Sequence, residues 1–290
     1  MPGFMSSSTA FTLCKADGSK FCTDALRKHV FSPASRTGWV GLGDPLDVDF
    51  AFDCRQEQYA VFSLRADTRK ASSAAVRLQL AEAVKEEGSE GKKVTGKRKK
   101  ELKETIVATL TSKAPFIPAL TDCLWDLDKN RLFVSTSSAK ALLPVFDLFK
   151  SGFGIEPAPI TAKGDMASLF AEICRNEQYE CNGFVLSPFG SASLETPGQA
   201  EDKALVAVQN NLNAVASALD EGLKVQKLRL VVTDAMRPDF QLDFSVDTNL
   251  SVSGLRLPKA EKGADPEAEF LLKADVCSNV ASIIEALATA

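Results

Sequence analysis

Residues 71–114 read ASSAAVRLQLAEAVKEEGSEGKKVTGKRKKELKETIVATLTSKA, and the fold turns on how this stretch divides. Val76, Leu80, Ala83 and Val84 recur at helical spacing to about Glu87, which puts an apolar stripe on one helix face. GSEGKKVTGKRKK breaks the pattern with three glycines, and helix resumes as KKELKETIVATL, with Leu102, Ile106 and Leu110 on one side. The spacing predicts a helical hairpin whose tip and second helix start are strongly basic. Within 92–103, seven basic residues (Lys92, Lys93, Lys97, Arg98, Lys99, Lys100 and Lys103) face one acid, Glu101, in a 290-residue chain of formal net charge -4.

On either side of the hairpin the pattern changes. Residues 1–70 read as strands and turns, with YAVFSL (59–64) a β-rich run after the turn-rich TGWVGLGDP. After it, Leu124–Leu127 and Arg131–Ser135 form a hairpin turning at 128–130. A helix follows with Ala141, Leu142, Val145, Phe146 and Phe149 on one face, stopped by the glycines of KSGFG and the Pro-rich IEPAPI. MASLFAEICR is a short helix, and Leu205, Val208, Leu212, Val215 and Leu219 trace a longer one after the polar break LETPGQAED. KLRLVV, FQLDFSV and SVSGLRL are strands, Gly254 marking a bulge in the last. A helix carrying Val276, Val280, Ile283, Ile284 and Leu287 closes the chain. Strands and helices segregate, so the expected class is α+β: antiparallel sheets in an elongated, multi-domain chain. The expected domains are 1–70 plus 115–160, the basic hairpin 71–114, and 161–290.

Composition excludes several chemistries. No apolar run approaches the roughly 18 residues that span a bilayer, and MPGFMSSSTAFTLC lacks the basic start and apolar stretch of a secretory signal, so a cytoplasmic protein is expected. The seven cysteines (Cys14, Cys22, Cys54, Cys123, Cys174, Cys181 and Cys277) are dispersed without a CxxC pair and read as reduced thiols. The only histidine, His29, lies in LRKHVF with no carboxylate nearby in sequence to orient it, so a structural role is expected and no catalytic triad. GLG in TGWVGLGDP lacks phosphate-loop spacing, and no cofactor or metal is expected.

Two acidic groups bear on a metal-dependent nuclease: Asp44, Asp47, Asp49 and Asp53, and Asp122, Asp126 and Asp128. Asp47 and Asp49 alternate with Val48 and Phe50 as on the wet face of a strand, and Asp126 and Asp128 flank a turn, so no catalytic site is assigned. The basic hairpin is the stronger signal, because dense Lys and Arg attract phosphate without reading bases. Arg65, Arg69, Lys70 and Arg77 add to it. The alternative is a solvated face laced by Glu82, Glu86, Glu87 and Glu90. Phe116, between two prolines in SKAPFIPAL, is either a core anchor or an exposed hook for a partner chain.

The order of these pieces resembles the bacterial recombination-associated RdgC family along nearly the whole chain. The residues that carry it are SRTGWVGLG (35–43), GKKVTGKRKKELKETIVATL (91–110), Trp125 with its following Asp, and SSAKALLPVFDLFKSGFG (137–154). Gly222, Lys227-Leu228 and the apolar C-terminal helix complete it. The resemblance implies a nucleoid-associated protein that binds double-stranded DNA without sequence preference. It also implies a ring-shaped homodimer around the duplex that restrains a RecA-type recombinase. A ring with an acidic outside and basic hole would reconcile the net charge with the hairpin. Expected DNA contacts are Arg69, Lys70, Arg77, Lys92, Lys93, Lys97, Arg98, Lys99, Lys100, Lys103 and Lys113, and Phe116 matches the family's ring-closing aromatic. The family's start survives here only as Gly3-Phe4-Met5-Ser6, and its basic stretch before the long late helix is replaced by LETPGQAED. A metal-dependent exonuclease and a protein-interaction module for recombination factors are the competing readings.

Overall fold

The computed structural model describes residues 3–89, 94–176, 178–196, 206–209, 212–234, 236–259, 263 and 265–290. In chain order these form β1 (Ser8–Lys15), α1 (Thr23–Lys28), β2 (Thr37–Val40), β3 (Arg55–Gln56), β4 (Tyr59–Arg69), α2 (Ser73–Ser89) and α3 (Gly96–Lys113). Next come β5 (Phe116–Asp126), β6 (Arg131–Val134), α4 (Ala139–Phe153), β7 (Ala158–Pro159), α5 (Met166–Asn176), β8 (Tyr179–Cys181) and β9 (Phe184–Glu195). The chain ends with β10 (Val206–Gln209), α6 (Leu212–Asp220), β11 (Lys224–Asp234), β12 (Arg237–Asp247), β13 (Val252–Arg256) and α7 (Pro266–Thr289). The strands join in the order β10-β9-β11-β12-β13-β1-β6-β5-β4-β2, and the class is α+β as expected.

Two compact units divide the chain. The larger comprises Met1–Val30, Trp39–Leu64 and Thr121–Ala290. Its organising strand is β1, which pairs antiparallel with β13 through Ser8, Thr9 and Phe11 and with β6 through Thr12–Lys15. One strand thus serves both ladders, and its end also pairs antiparallel with β7 through Cys14 and Lys15. On the β13 side, two steps along β1 match three along β13, a bulge that falls beside Gly254 at φ +66°. In the β11–β12 pair, Leu228 faces Val246, Leu230 faces Phe244 and Val232 faces Leu242, all buried, as the alternation of FQLDFSV requires. Those side chains share a core with Phe270, Cys277, Val280, Ile283, Ile284 and Leu287 of α7, which is capped by Asp265 and starts with Pro266.

A second core in the same unit is aromatic: Trp39, Phe62, Trp125, Phe149 and Phe153 lie together with Leu132 and Val145. The Trp125 indole Nε1 donates to the Ala16 carbonyl at 3.1 Å, so its polar atom is satisfied inside. α4 supplies Phe149 and Phe153 and stops at Gly154, whose φ of +70° makes it a left-handed cap. Five of the cysteines are buried, Cys181 is half-buried and Cys22 is exposed. Burial pushes Cys14 and Cys277 up to about 12, which keeps them as thiols.

Asp122 ties the N-terminal segment to this unit. Its Oδ1 accepts the Ser63 hydroxyl at 2.6 Å and its Oδ2 the Phe4 N–H at 3.2 Å, in a site only 5% exposed. Desolvation raises its pKa above the ordinary 3.8, and these two hydrogen bonds offset only part of that rise. The folded chain therefore holds this proton more tightly than the unfolded one. The resulting stability is present below about pH 4 and is lost as pH rises through the raised folded value. Denaturant unfolding of wild type and Asp122→Asn between about pH 4 and pH 7 should show wild type losing ground as pH rises. A pH-independent difference between the two would mean that the carboxyl ionises normally.

Several local expectations are corrected. Residues 1–70 are not only strands and turns: TDALRK forms α1, because Leu26 is buried on its inner side, and His29 caps its end. Thr37–Val40 of the turn-rich stretch is β2. Asp47 and Asp49 are not on a strand; the Asp47 carboxylate accepts the N–H groups of Asp49 and Ala51 and folds a loop around itself. The longer late helix begins only at Leu212, while Val206–Gln209 pairs with Ser191–Leu194 of β9, since apolar positions two apart suit a strand as well. Leu205 and residues 197–202 of LETPGQAED lie outside the described residues.

Candidate nucleic-acid interface

The smaller unit comprises Phe31–Gly38 and Arg65–Leu120 and is built on the helical hairpin. α2 and α3 pack on each other, with Leu80, Ala83 and Val84 half-buried on one and Leu102, Ile106 and Leu110 on the other. Helix starts at Gly96, earlier than the apolar stripe alone predicts, because the Thr95 hydroxyl accepts the Arg98 N–H at 3.3 Å and caps the end. Lys97 thus joins Lys99, Lys100 and Lys103 on the helix instead of lying in the glycine-rich tip. No residue of α3 is buried, and α2 buries only Val76.

A groove of about 800 Å³ runs along this unit. Its floor is apolar (Val76, Leu80 and Val107), and its walls carry Arg69, Lys70, Arg77, Lys99, Lys100 and Lys103. Folding brings cations from the end of β4, from α2 and from α3 to one place. Among the described residues, none of these six has a carboxylate within salt-bridge distance. Unpaired like charges repel, so the arrangement costs free energy that a bound polyanion would recover.

The other predicted residues fall differently. Arg98 is held by Glu87, Nη2 to Oε1 at 2.6 Å, and by Glu101 at 3.4 Å; it laces the two helices together. Lys97 and Lys113 are exposed and do not line the groove. Lys92 and Lys93 lie outside the described residues, as does Glu90. Phe116 is half-buried, with the guanidinium carbons of Arg36 and Arg69 at 3.8 Å and 4.1 Å from its ring centroid. Arg65 lies over Phe31 in the same manner and pairs with Asp67. Nothing in the sequence singles out Arg36, since its ring partner is 80 positions away; only the fold joins them.

Five of the seven acidic positions, Asp44, Asp47, Asp53, Asp122 and Asp126, serve local structure. Asp44 and Asp53 accept the N–H groups of Leu46 and Arg55, Asp122 is pinned as described, and Asp126 accepts the Lys129 N–H. Among the described residues, no three carboxylate, thiol or imidazole groups meet in an arrangement that could hold a metal ion. No described helix is long and apolar enough to cross a membrane. A hollow of about 590 Å³ in the larger unit is lined mainly by neutral side chains such as Thr12, Leu142, Ile160, Met166 and Ser251. Among the described residues its one carboxylate is Asp165, whose pKa is lowered by the Ser168 hydroxyl and the Ala167 N–H, as the start of α5 requires.

A family model described as "Putative exonuclease, RdgC" matches residues 11–286. No curated protein matches the chain.

Proposed function

Since the chain belongs to the RdgC family, we propose that it binds double-stranded DNA without regard to sequence, in a recombination-related role, through the cationic groove of the helical hairpin. The observation that carries this reading is the set of six cations around one groove, none with a carboxylate partner among the described residues. Such a surface meets phosphates by charge alone and reads no base edges. Lys97 and Lys113 are further exposed cations on α3, outside the groove. Assembly as a homodimer closing into a ring, restraint of a RecA-type recombinase and association with the nucleoid are the finer parts of the proposal, and family membership supports them.

We read the protein as a binder and not a nuclease, because five of the seven candidate aspartates, Asp44, Asp47, Asp53, Asp122 and Asp126, are engaged in turns and in the Phe4–Ser63 network. Titration of a labelled duplex at rising salt tests the binding. The logarithm of affinity should fall linearly with the logarithm of salt concentration, at about 0.9 per phosphate contact. Two duplexes of unrelated sequence should give the same line. Affinity indifferent to salt would remove the groove from consideration. Linear duplex held with magnesium or manganese should keep its length, and shortening would restore the exonuclease reading.

A further inference from the structure

We propose that Arg36 and Arg69, both stacked on Phe116, form a two-guanidinium clamp for two neighbouring backbone phosphates at the end of the groove, one to each arginine, with Phe116 as their positioning residue. This rests on the DNA-binding reading and adds to it a contact, Arg36, and a role for the aromatic within its own chain.

The geometry has three parts. The first is the platform: both guanidinium carbons lie about a ring's thickness from the Phe116 centroid, at 3.8 Å and 4.1 Å. Stacking uses the flat face of a guanidinium and leaves its N–H edge open, the edge that takes a phosphate in bidentate fashion. The second is the lack of competitors. Neither arginine has a carboxylate in salt-bridge range among the described residues, and Arg69 gives only Nη1 to the Ser112 carbonyl, at 2.6 Å. That bond leaves its other donors free and fixes the side chain near the end of α3.

The third is the backbone of Arg36. Its φ of +59° lies in the left-handed region, which a side chain other than glycine, asparagine or aspartate rarely adopts. The Ser32–Arg36 turn enforces it: the Arg36 N–H donates to the Ser32 carbonyl at 3.0 Å, and the Ser35 hydroxyl bridges to the Thr37 carbonyl at 2.7 Å. The Arg36 carbonyl in turn accepts the Asp67 N–H at 2.8 Å. Glycine would satisfy each of these backbone bonds with less strain. Arginine there serves the side chain and not the turn.

That asymmetry supplies the test. Arg36→Gly keeps every backbone bond and suits the φ, so its melting temperature should equal or exceed that of wild type. Its salt slope for duplex binding should fall by about 1, with affinity near 0.1 M salt about eight-fold weaker. Phe116→Leu, which keeps apolar bulk but removes the π face, should show a similar loss at unchanged solution mass, and Phe116→Trp should restore the slope. Wild-type slopes in both Arg36→Gly and Phe116→Leu would overturn the clamp while leaving the groove standing. A loss in Phe116→Leu that tracks a fall in mass by light scattering would overturn the positioning role in favour of a subunit contact. Absence of salt-dependent binding in wild type would overturn clamp and groove together.

Discussion

Changing Arg77, Lys99, Lys100 and Lys103 together to glutamine should weaken duplex binding on the order of 10³-fold near 0.1 M salt, and lower the salt slope by about 3 to 4. Each of the four lines the groove, is exposed, and has no carboxylate partner among the described residues, so its removal breaks no ion pair of the fold. Relief of repulsion among them should leave the melting temperature level or slightly raised. Arg69 is kept because its guanidinium also bonds Ser112. Arg98→Gln is the internal control: tied to Glu87 and Glu101, it should affect the hairpin more than the slope. A quadruple variant that binds with the wild-type slope would place the DNA contacts elsewhere.

Phe149→Ala should be the most destabilising single change in the larger unit, at about 3–5 kcal/mol. The ring is fully buried, with centroids of Trp125, Phe153, Trp39 and Phe62 at 5.1, 5.1, 5.7 and 6.0 Å. Alanine leaves a cavity among rigid aromatics that cannot collapse into it, and several tilted and edge-on ring contacts are lost at once. Denaturant unfolding measures the loss. A cost below about 1 kcal/mol would mean that the aromatic cluster tolerates voids and is not the core that holds α4 in place.

The residues that made the fold legible are those whose partners are close in sequence. Val76, Leu80, Leu102 and Ile106 disclose α2 and α3 because helical period is local, and Phe240, Leu242, Phe244 and Val246 disclose β12 for the same reason. Gly154 and Gly254 mark a helix end and a bulge through φ alone. What stayed hidden is long-range. Nothing in STAFTLCK says that β1 pairs with β13 and β6 at once, nor that VAVQ pairs with β9 instead of entering a helix. The basic segment was readable as a charge density, but not its sorting. Arg98 and Lys99 are neighbours in sequence, yet one faces Glu87 and the other the groove. Arg36 was invisible, because a guanidinium on a ring is a tertiary fact.

Among its described residues the hairpin buries a single side chain, Val76, and so has little core of its own. Its helices should open at a free energy well below that of global unfolding, and anything that binds only the closed form shifts that balance toward order. If the hairpin holds duplex as proposed, the duplex would be more than a ligand: it would be a folding partner for that surface. Part of the interaction free energy goes into ordering helix, so the heat-capacity change of association should exceed what the contact area alone explains. Affinity in such a system is adjustable without touching a single cation, through helix propensity on the outer faces of α2 and α3.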